Sequence, residues 1–261
     1  MSDSMLFELN DGVLVATLNE PDKMNALTPG IRAGLFEAVE RANSDDDVRV
    51  LVITGAGRGF CAGADVNKRR GGEFEDRQAR MDQTGVSGRV VTAFASCEVP
   101  IIAAVNGAAA GAGFGLATCC DIRIMAKSAR MGSIFIKRGL ASDFGAVYWL
   151  PRIVGVARAY ELIYSGELLD ADKCLAMGLA TRVVDDDALL DETLGYARMI
   201  ADGPPLAYTA VRRMMQRAQY MPVAEFAEYE WTHQRQLLTT NDVVEGFKAF
   251  AERRPPKFAG N

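Results

Sequence analysis

The sequence predicts a layered α/β fold followed by a helical C-terminal half. Apolar runs at residues 48–54, Ile101–Val105 and Ile122–Ala126 have the length and composition of buried strands. The first two runs are each followed by a glycine-rich loop, and the segment 107–115 after the second run opens a helix of small residues that ends near Cys120. Strands that alternate with loops and helices in this way are typical of α/β layering and argue against an all-α or all-β fold.

The N-terminal region predicts a hairpin and then a helix. Residues 6–8 and 13–18 flank the turn signal Asn-Asp-Gly at 10–12. Thr28 and Pro29 suit the N-cap and first position of a helix that runs to about Asn43. The side chains expected on its buried face are Ile31, Leu35, Phe36 and Val39.

The C-terminal half predicts helices with little else. From Ala157 onward the pattern is amphipathic, and Pro204, Pro205 and Pro222 separate its segments. A chain of 261 residues is long for one compact domain and short for two. We therefore expect a main domain over residues 1–196 and a helical region over 197–261, whose apolar faces either contact another subunit or cover their own core.

Composition excludes several classes of function. The 34 acidic and 29 basic residues give a net charge of −5, which removes the electrostatic drive for nucleic-acid binding. The five cysteines lack CxxC spacing and His233 is the only histidine, so neither a metal site nor a disulfide framework is expected. No membrane span or leader is apparent, which predicts a cytoplasmic protein.

The two glycine-rich loops, at 55–59 and 111–115, are the most informative local feature. Neither has the final spacing of a dinucleotide-binding G-x-G-x-x-G loop, and neither ends in the Gly-Lys-Ser/Thr of a Walker loop. One interpretation is that the glycines only permit tight turns and close packing. The other is that both loops expose backbone N–H groups to a developing negative charge, the second of them at a helix start.

Two motifs next to these loops match a known family. The segment 60–65 (Phe-Cys-Ala-Gly-Ala-Asp) resembles the F-x-A-G-A-D loop of the crotonase superfamily, the enoyl-CoA hydratases and isomerases. The segment 104–113 (Ala-Val-Asn-Gly-Ala-Ala-Ala-Gly-Ala-Gly) resembles its second signature. Further agreement is found at 19–27, 150–155, 176–184 and 245–250. The resemblance implies a crotonase (ClpP-like) spiral of ββα units with a helical C-terminal trimerisation region, assembled as a homotrimer or a dimer of trimers.

The resemblance also implies an acyl-CoA site, with the CoA thioester as substrate and no separate cofactor. By position, the N–H groups of Ala64 and Ala112 bind the thioester oxygen. The residues implied along the CoA groove are Met24, Ala26, Leu27, Ala62, Asp65, Val66, Asn67 and Lys68. Family members often carry lysine at position 67, whereas here the lysine is the next residue. Phe250 and Arg253 match positions that reach a neighbouring subunit's CoA, although an ordinary helix face with one buried phenylalanine would explain them equally well.

The acid–base residues depart from the hydratase pattern. Hydratases divide proton transfer between two glutamates, and the aligned motifs place Gly115 and Phe135 at those positions. Phe135 makes this corner of the acyl site apolar, which suits an unsaturated or aromatic acyl chain. Asp143 stands where single-carboxylate isomerases of the superfamily carry Asp or Glu, and residues 134–140 also look like the ring-epoxide isomerases of phenylacetate degradation. We therefore predict that Asp143 is the acid/base of an isomerase; the alternative is a helix N-cap.

Three other functions stay open from the sequence. The protein could be a hydratase with a non-standard acid and base, or a noncatalytic CoA-binding protein, since loss of both glutamates also accompanies loss of activity. A dehalogenase-like hydrolase would use the aspartate as nucleophile. That branch also needs an active-site tryptophan and a histidine base, whereas Phe135 stands at the tryptophan position and His233 lies far along the helical tail.

Overall fold

A computed structural model describes residues 4–64 and 84–261 of the chain. In chain order its strands are β1 (Met5–Asn10), β2 (Val13–Leu18), β3 (Val50–Gly55), β4 (Gly59–Cys61), β5 (Ile101–Val105), β6 (Ala108–Ala110), β7 (Ile122–Ala126), β8 (Arg130–Gly132), β9 (Leu169–Asp170) and β10 (Arg182–Val184). The helices are α1 (Pro29–Ser44), α2 (Gly85–Ala95), α3 (Ala112–Cys119), α4 (Ala146–Val154), α5 (Val156–Ser165), α6 (Ala171–Ala176), α7 (Leu189–Ala201), α8 (Pro205–Ala218), α9 (Val223–Leu237) and α10 (Asn241–Glu252).

The described strands form a large and a small sheet. The large sheet has the order β1-β2-β3-β5-β7-β10, in which only β1 and β2 are antiparallel. The small sheet has the order β4-β6-β8-β9, with parallel pairing of β4, β6 and β8. Strands β3 and β5 are buried along their whole length, as expected of strands covered on both faces. The predicted hairpin, α1 with its Thr28 cap, and the three buried strands are confirmed.

The chain repeats a ββα unit, and this repeat creates the site. In each repeat a long strand of the large sheet leads into a three-residue strand of the small sheet, as in β3 to β4, β5 to β6 and β7 to β8. In the second repeat, β6 runs directly into α3. Because the small strands pair side by side in parallel, the loops that leave their C-terminal ends lie next to one another.

Two predictions of local structure were wrong. Residues 108–110 were expected at the start of the small-residue helix, but they form β6, and α3 begins only at Ala112. The C-terminal half was expected to be almost wholly helical, but Arg182–Val184 forms β10 and completes one edge of the large sheet beside β7. Both strands have three residues, which is too short for periodicity to reveal, and strand pairing alone makes them extended.

The C-terminal helices follow without a break from the sheet domain. The predicted division between residues 196 and 197 falls inside α7, which packs on β2, β3, β5 and β7 and buries Ala197, Ile200 and Ala201. Helix α8 is attached to the core by buried Arg212, whose Nε donates to Asp121 Oδ2 at 2.8 Å. Among the helices of the described residues, none is both long and apolar enough to cross a membrane.

Candidate active site

The loops after β4 and β6 come into direct contact. Gly63 has φ of +92°, and a Cβ placed on it would lie 2.7 Å from the carbonyl oxygen of Ala110 and 3.1 Å from the amide nitrogen of Ala112. Only glycine tolerates both this backbone conformation and this approach. Gly63 therefore holds the loop that contains Ala64 against the N-terminus of α3.

The N–H groups of Ala64 and Ala112 consequently lie at the contact between the two loops. Neither group has a backbone acceptor within residues 4–64 and 84–261. Ala112 is the first residue of α3, where N–H groups have no intrahelical acceptor and the helix dipole favours negative charge. Gly111, the N-cap, is fixed by its own N–H, which donates to the Gly132 carbonyl at 3.0 Å. This arrangement can stabilise an oxyanion.

The segment that contains Met24 and Leu27 lies against the same loop. The N–H of Ala62 donates to the Met24 carbonyl at 2.9 Å, and the N–H of Leu27 donates to the Gly63 carbonyl at 2.8 Å. The side chains of Ala26 and Leu27 are buried, and Leu27 belongs to the hydrophobic core. A ligand in the predicted CoA groove would therefore contact Met24 and Ala62 rather than the Leu27 side chain.

Asn25 holds this segment in place, and the sequence analysis did not single it out. Its Oδ1 accepts from the N–H of Glu20 at 2.9 Å, and its Nδ2 donates to the carbonyls of Ala56 at 2.9 Å and Gly59 at 2.7 Å. The residue is 0% exposed and has φ of +54°. The available signal was an asparagine, a residue that tolerates positive φ, in the loop between β2 and α1.

The position of the first missing glutamate is filled by backbone. A Cβ placed on Gly115 would lie 2.5 Å from the carbonyl oxygen and 2.7 Å from the Cβ of Phe144. Phe144 has a buried ring and a backbone φ of +58°. Its carbonyl accepts a hydrogen bond from the Cys119 thiol at 3.7 Å. A side chain at position 115 has no space, because the loop 139–145 packs directly on α3.

This packing brings Asp143 to the first turns of α3. Its carboxylate is exposed, and Oδ1 accepts from the N–H of Phe144 at 2.6 Å. The alternative interpretation of Asp143 as a helix N-cap is wrong, because Gly145 is the N-cap of α4 and no side chain caps that helix. The Asp143 carboxylate is thus held by its own loop and open to a ligand.

Phe135 lies near the start of α3. It belongs to a short 3-10 helix, Ile134–Arg138, and its half-buried ring reaches 3.8 Å from where a Cβ on Gly111 would lie. The Phe135 carbonyl accepts from the N–H of Leu140 at 3.2 Å, which ties this turn to the loop that carries Asp143. The position of the second missing glutamate is therefore occupied by an aromatic ring close to Gly111, the residue before Ala112.

Several predicted contacts lie elsewhere. Asp65, Val66, Asn67 and Lys68 lie outside the described residues. Phe250 is 85% exposed, so the alternative of one buried phenylalanine is wrong; it lines an apolar groove formed by α8, α9, α10 and Phe258. Arg253 is exposed and ends α10 with φ of +55°. Within one described chain, neither of these two residues joins the loops around Ala64.

Comparison with known proteins identifies the family. The model for the enoyl-CoA hydratase/isomerase family matches residues 8–261. The chain belongs to the enoyl-CoA hydratase/isomerase family. The 1,2-epoxyphenylacetyl-CoA isomerase of Escherichia coli (strain K12) is 36% identical over 265 residues, with 100% of both chains covered. The (E)-benzylidenesuccinyl-CoA hydratase of Thauera aromatica is 35% identical over 255 residues, covering 97% of this chain and 98% of the relative.

The fold expected from the resemblance is confirmed. The crystal structure of an enoyl-CoA hydratase from Bacillus anthracis superimposes with a TM-score of 0.93 and 30% identity, covering 99% of this chain and 100% of that one. The protein thus has the crotonase fold, with ββα units and a helical C-terminal region. Within the described residues no group of His, Cys, Asp and Glu side chains could hold a metal ion. The family catalyses reactions of acyl-CoA thioesters, and its members include both isomerases and hydratases.

Proposed function

We propose that this protein is an acyl-CoA isomerase that uses Asp143 as its single acid/base and the N–H groups of Ala64 and Ala112 as its oxyanion hole. The observation that carries the proposal is the contact between Phe144 and Gly115. This contact leaves no space for a glutamate at position 115, and it brings Asp143, the neighbour of Phe144, to the helix whose first N–H would bind the thioester oxygen.

One carboxylate is sufficient for this reaction. With a 3-enoyl thioester, Asp143 takes a proton from C2, and the electron pair moves onto the thioester oxygen to form a dienolate. The two N–H groups stabilise the negative charge, which is larger in the transition state than in the substrate. The carboxylic acid then returns the proton to C4, which gives the conjugated 2-enoyl thioester. Atoms and electrons balance without any cofactor.

The acyl group would contact Phe135. An aromatic ring close to Gly111 disfavours an ordered water at the place where a hydratase needs one. It suits a planar unsaturated or aromatic acyl chain instead. The 36% identity to a 1,2-epoxyphenylacetyl-CoA isomerase supports an aromatic or ring-containing acyl group as an alternative to a linear unsaturated one.

Hydration is the second candidate function, because a relative of nearly equal identity is named a hydratase. The two candidates differ in a product that can be measured directly. Purified protein is given either 3-hexenoyl-CoA or crotonyl-CoA, and chromatography separates 2-enoyl from 3-hydroxyacyl products. We expect conversion of 3-hexenoyl-CoA and little hydration of crotonyl-CoA. Hydration at a rate typical of efficient enzymes, on the order of hundreds per second, would replace the isomerase proposal.

The role of Asp143 is tested by Asp143→Asn, with Asp46→Asn as the matched control. The amide keeps the shape of the side chain but cannot accept the proton, so we expect kcat for isomerisation to fall at least 100-fold while CoA affinity stays within a few-fold. Asp46 is exposed on the loop between α1 and β3, so its variant should match the wild type. CoA binding by both variants with no turnover in any form of the protein would favour a noncatalytic binding protein.

We further propose that the protein assembles as a homotrimer or a dimer of trimers through its helical C-terminal half, from Ala157 onward. The exposed apolar side chains that support this are Tyr160, Tyr164, Met215, Trp231, Val244, Phe247 and Phe250. Exposed apolar groups in this number are typical of a surface that another subunit covers. Such a contact would also let Phe250 and Arg253 reach a neighbour's CoA. Light scattering at micromolar concentration tests the assembly, and a monomer would remove both parts of this proposal.

A further inference from the structure

A hydroxyl pair joins the two segments that flank the candidate active site. The Oγ atoms of Ser133 and Ser142 lie 2.6 Å apart, so that one hydroxyl donates to the other. Ser133 directly follows β8 and is only 3% exposed, whereas Ser142 is half-buried and immediately precedes Asp143. The pair thus connects the end of a strand in the small sheet to the loop that carries the carboxylate.

The same strand end also fixes the oxyanion hole. Gly132, the residue before Ser133, accepts a hydrogen bond from the N–H of Gly111 at 3.0 Å and pairs with Ala110 in the sheet register. That bond sets the backbone immediately before the Ala112 N–H. One rigid junction, residues 132–133, therefore holds the helix start through its backbone and the Asp143 loop through its side chain.

The carboxylate itself has few other restraints. Asp143 is exposed, and the described structure shows its side chain bonded to the adjacent N–H of Phe144. Phe144 anchors the loop on its C-terminal side through its buried ring. On the N-terminal side, the Ser142 hydroxyl is bonded to Ser133, the residue that directly follows β8. Loss of this bond would free one end of the segment while leaving the groove around Met24 and Ala62 unchanged.

We propose that Ser133 and Ser142 are positioning residues that hold Asp143 at a fixed position relative to the oxyanion hole. This inference rests on the proposed role of Asp143 as acid/base. Displacement of a catalytic group by about 1 Å can cost up to about 100-fold in rate. Loss of the Ser133–Ser142 bond should lower kcat and leave KM unchanged, because the serine pair contacts the loop that carries Asp143 rather than the predicted CoA groove.

The experiment compares Ser142→Ala, Ser133→Ala, the double variant and Ser142→Thr in the isomerisation of 3-hexenoyl-CoA. We expect each alanine variant to lower kcat about tenfold and to change KM by less than about twofold. If the two hydroxyls act through one bond, the double variant loses no more than either single variant; independent effects would multiply to about 100-fold. Ser142→Thr keeps a hydroxyl and should restore most of kcat.

Ser44→Ala is the matched control. Its hydroxyl donates to the Glu40 carbonyl at 2.8 Å at the exposed end of α1, far from both loops in sequence, and its loss should leave kcat unchanged. Unchanged kcat in Ser133→Ala and Ser142→Ala, or failure of threonine to restore activity, would refute the positioning role. If the serine variants give a refuting result while Asp143→Asn is inactive in the same assay, only the positioning role of the serine pair is refuted. If Asp143→Asn is fully active, the proposed acid/base fails instead.

Discussion

Two glycines inside helices should respond to alanine in opposite directions. Gly115 lies in α3 with its Cα against Phe144, and Gly195 lies on the exposed side of α7 with no atom within 4 Å of an added Cβ. Alanine is favoured over glycine in a helix interior by about 1 kcal/mol at either position, because glycine loses more backbone entropy on folding. Helix propensity alone therefore predicts that both substitutions stabilise the protein.

Packing reverses the sign at position 115. The new methyl group would lie 2.5 Å from the Phe144 carbonyl oxygen, whereas unstrained contacts between such atoms are about 3.5 Å. The loop must therefore move by roughly 1 Å, and overpacking of this kind costs about 1–3 kcal/mol. After the gain in propensity, Gly115→Ala should destabilise the protein by about 1 kcal/mol. Gly195→Ala should stabilise it by about the same amount.

Thermal unfolding and isomerase activity together test this reasoning. For a chain of this length we expect a change in Tm of about 3 °C, downward for Gly115→Ala and upward for Gly195→Ala. The displaced Phe144 carries Asp143 with it, so kcat of Gly115→Ala should also fall by about tenfold or more. A Gly115→Ala protein that is as stable and as active as Gly195→Ala would show that the loop does not pack on α3 as described.

Three further predictions concern stability and reactivity. Arg212→Ala should lower the free energy of unfolding by about 3 kcal/mol in denaturant titrations, because it leaves Asp121 and the carbonyls at the end of α2 without their buried partner. Asn25→Ala removes three hydrogen bonds of a fully buried side chain, so we expect a loss of about 3 kcal/mol together with a raised KM. Burial raises the pKa of the Cys61 and Cys119 thiols to about 12. Unfolded cysteine ionises near pH 8.5, so the stability that these thiols contribute is complete below that pH and declines toward pH 12. At about pH 8, a disulfide reagent should therefore modify the native protein much more slowly than the unfolded one.

Local sequence signals were sufficient for much of the fold. The Asn-Asp-Gly turn, the Thr28-Pro29 helix start and the apolar runs of β3, β5 and β7 each act through neighbouring residues or through simple burial, so the chain itself encodes them. The two family motifs carried the identification, because each lies in one contiguous stretch of the chain and can be recognised without coordinates. The absence of both hydratase glutamates was likewise visible without coordinates.

The remaining features depend on contacts between residues distant in the chain. Strands β6 and β10 are too short to be recognised, and they are extended only because neighbouring strands pair with them. Sequence comparison showed that position 115 lacks a glutamate, but only packing shows that Phe144 fills its place at a positive φ. The Ser133–Ser142 bond likewise joins two residues whose spacing has no local meaning, and the tertiary fold brings them together. The sequence by itself determined the family and pointed to Asp143 as the candidate acid/base, whereas the tertiary structure decided that the loop before Gly145 packs on α3 at Gly115, because that depends on contacts between residues distant in the chain.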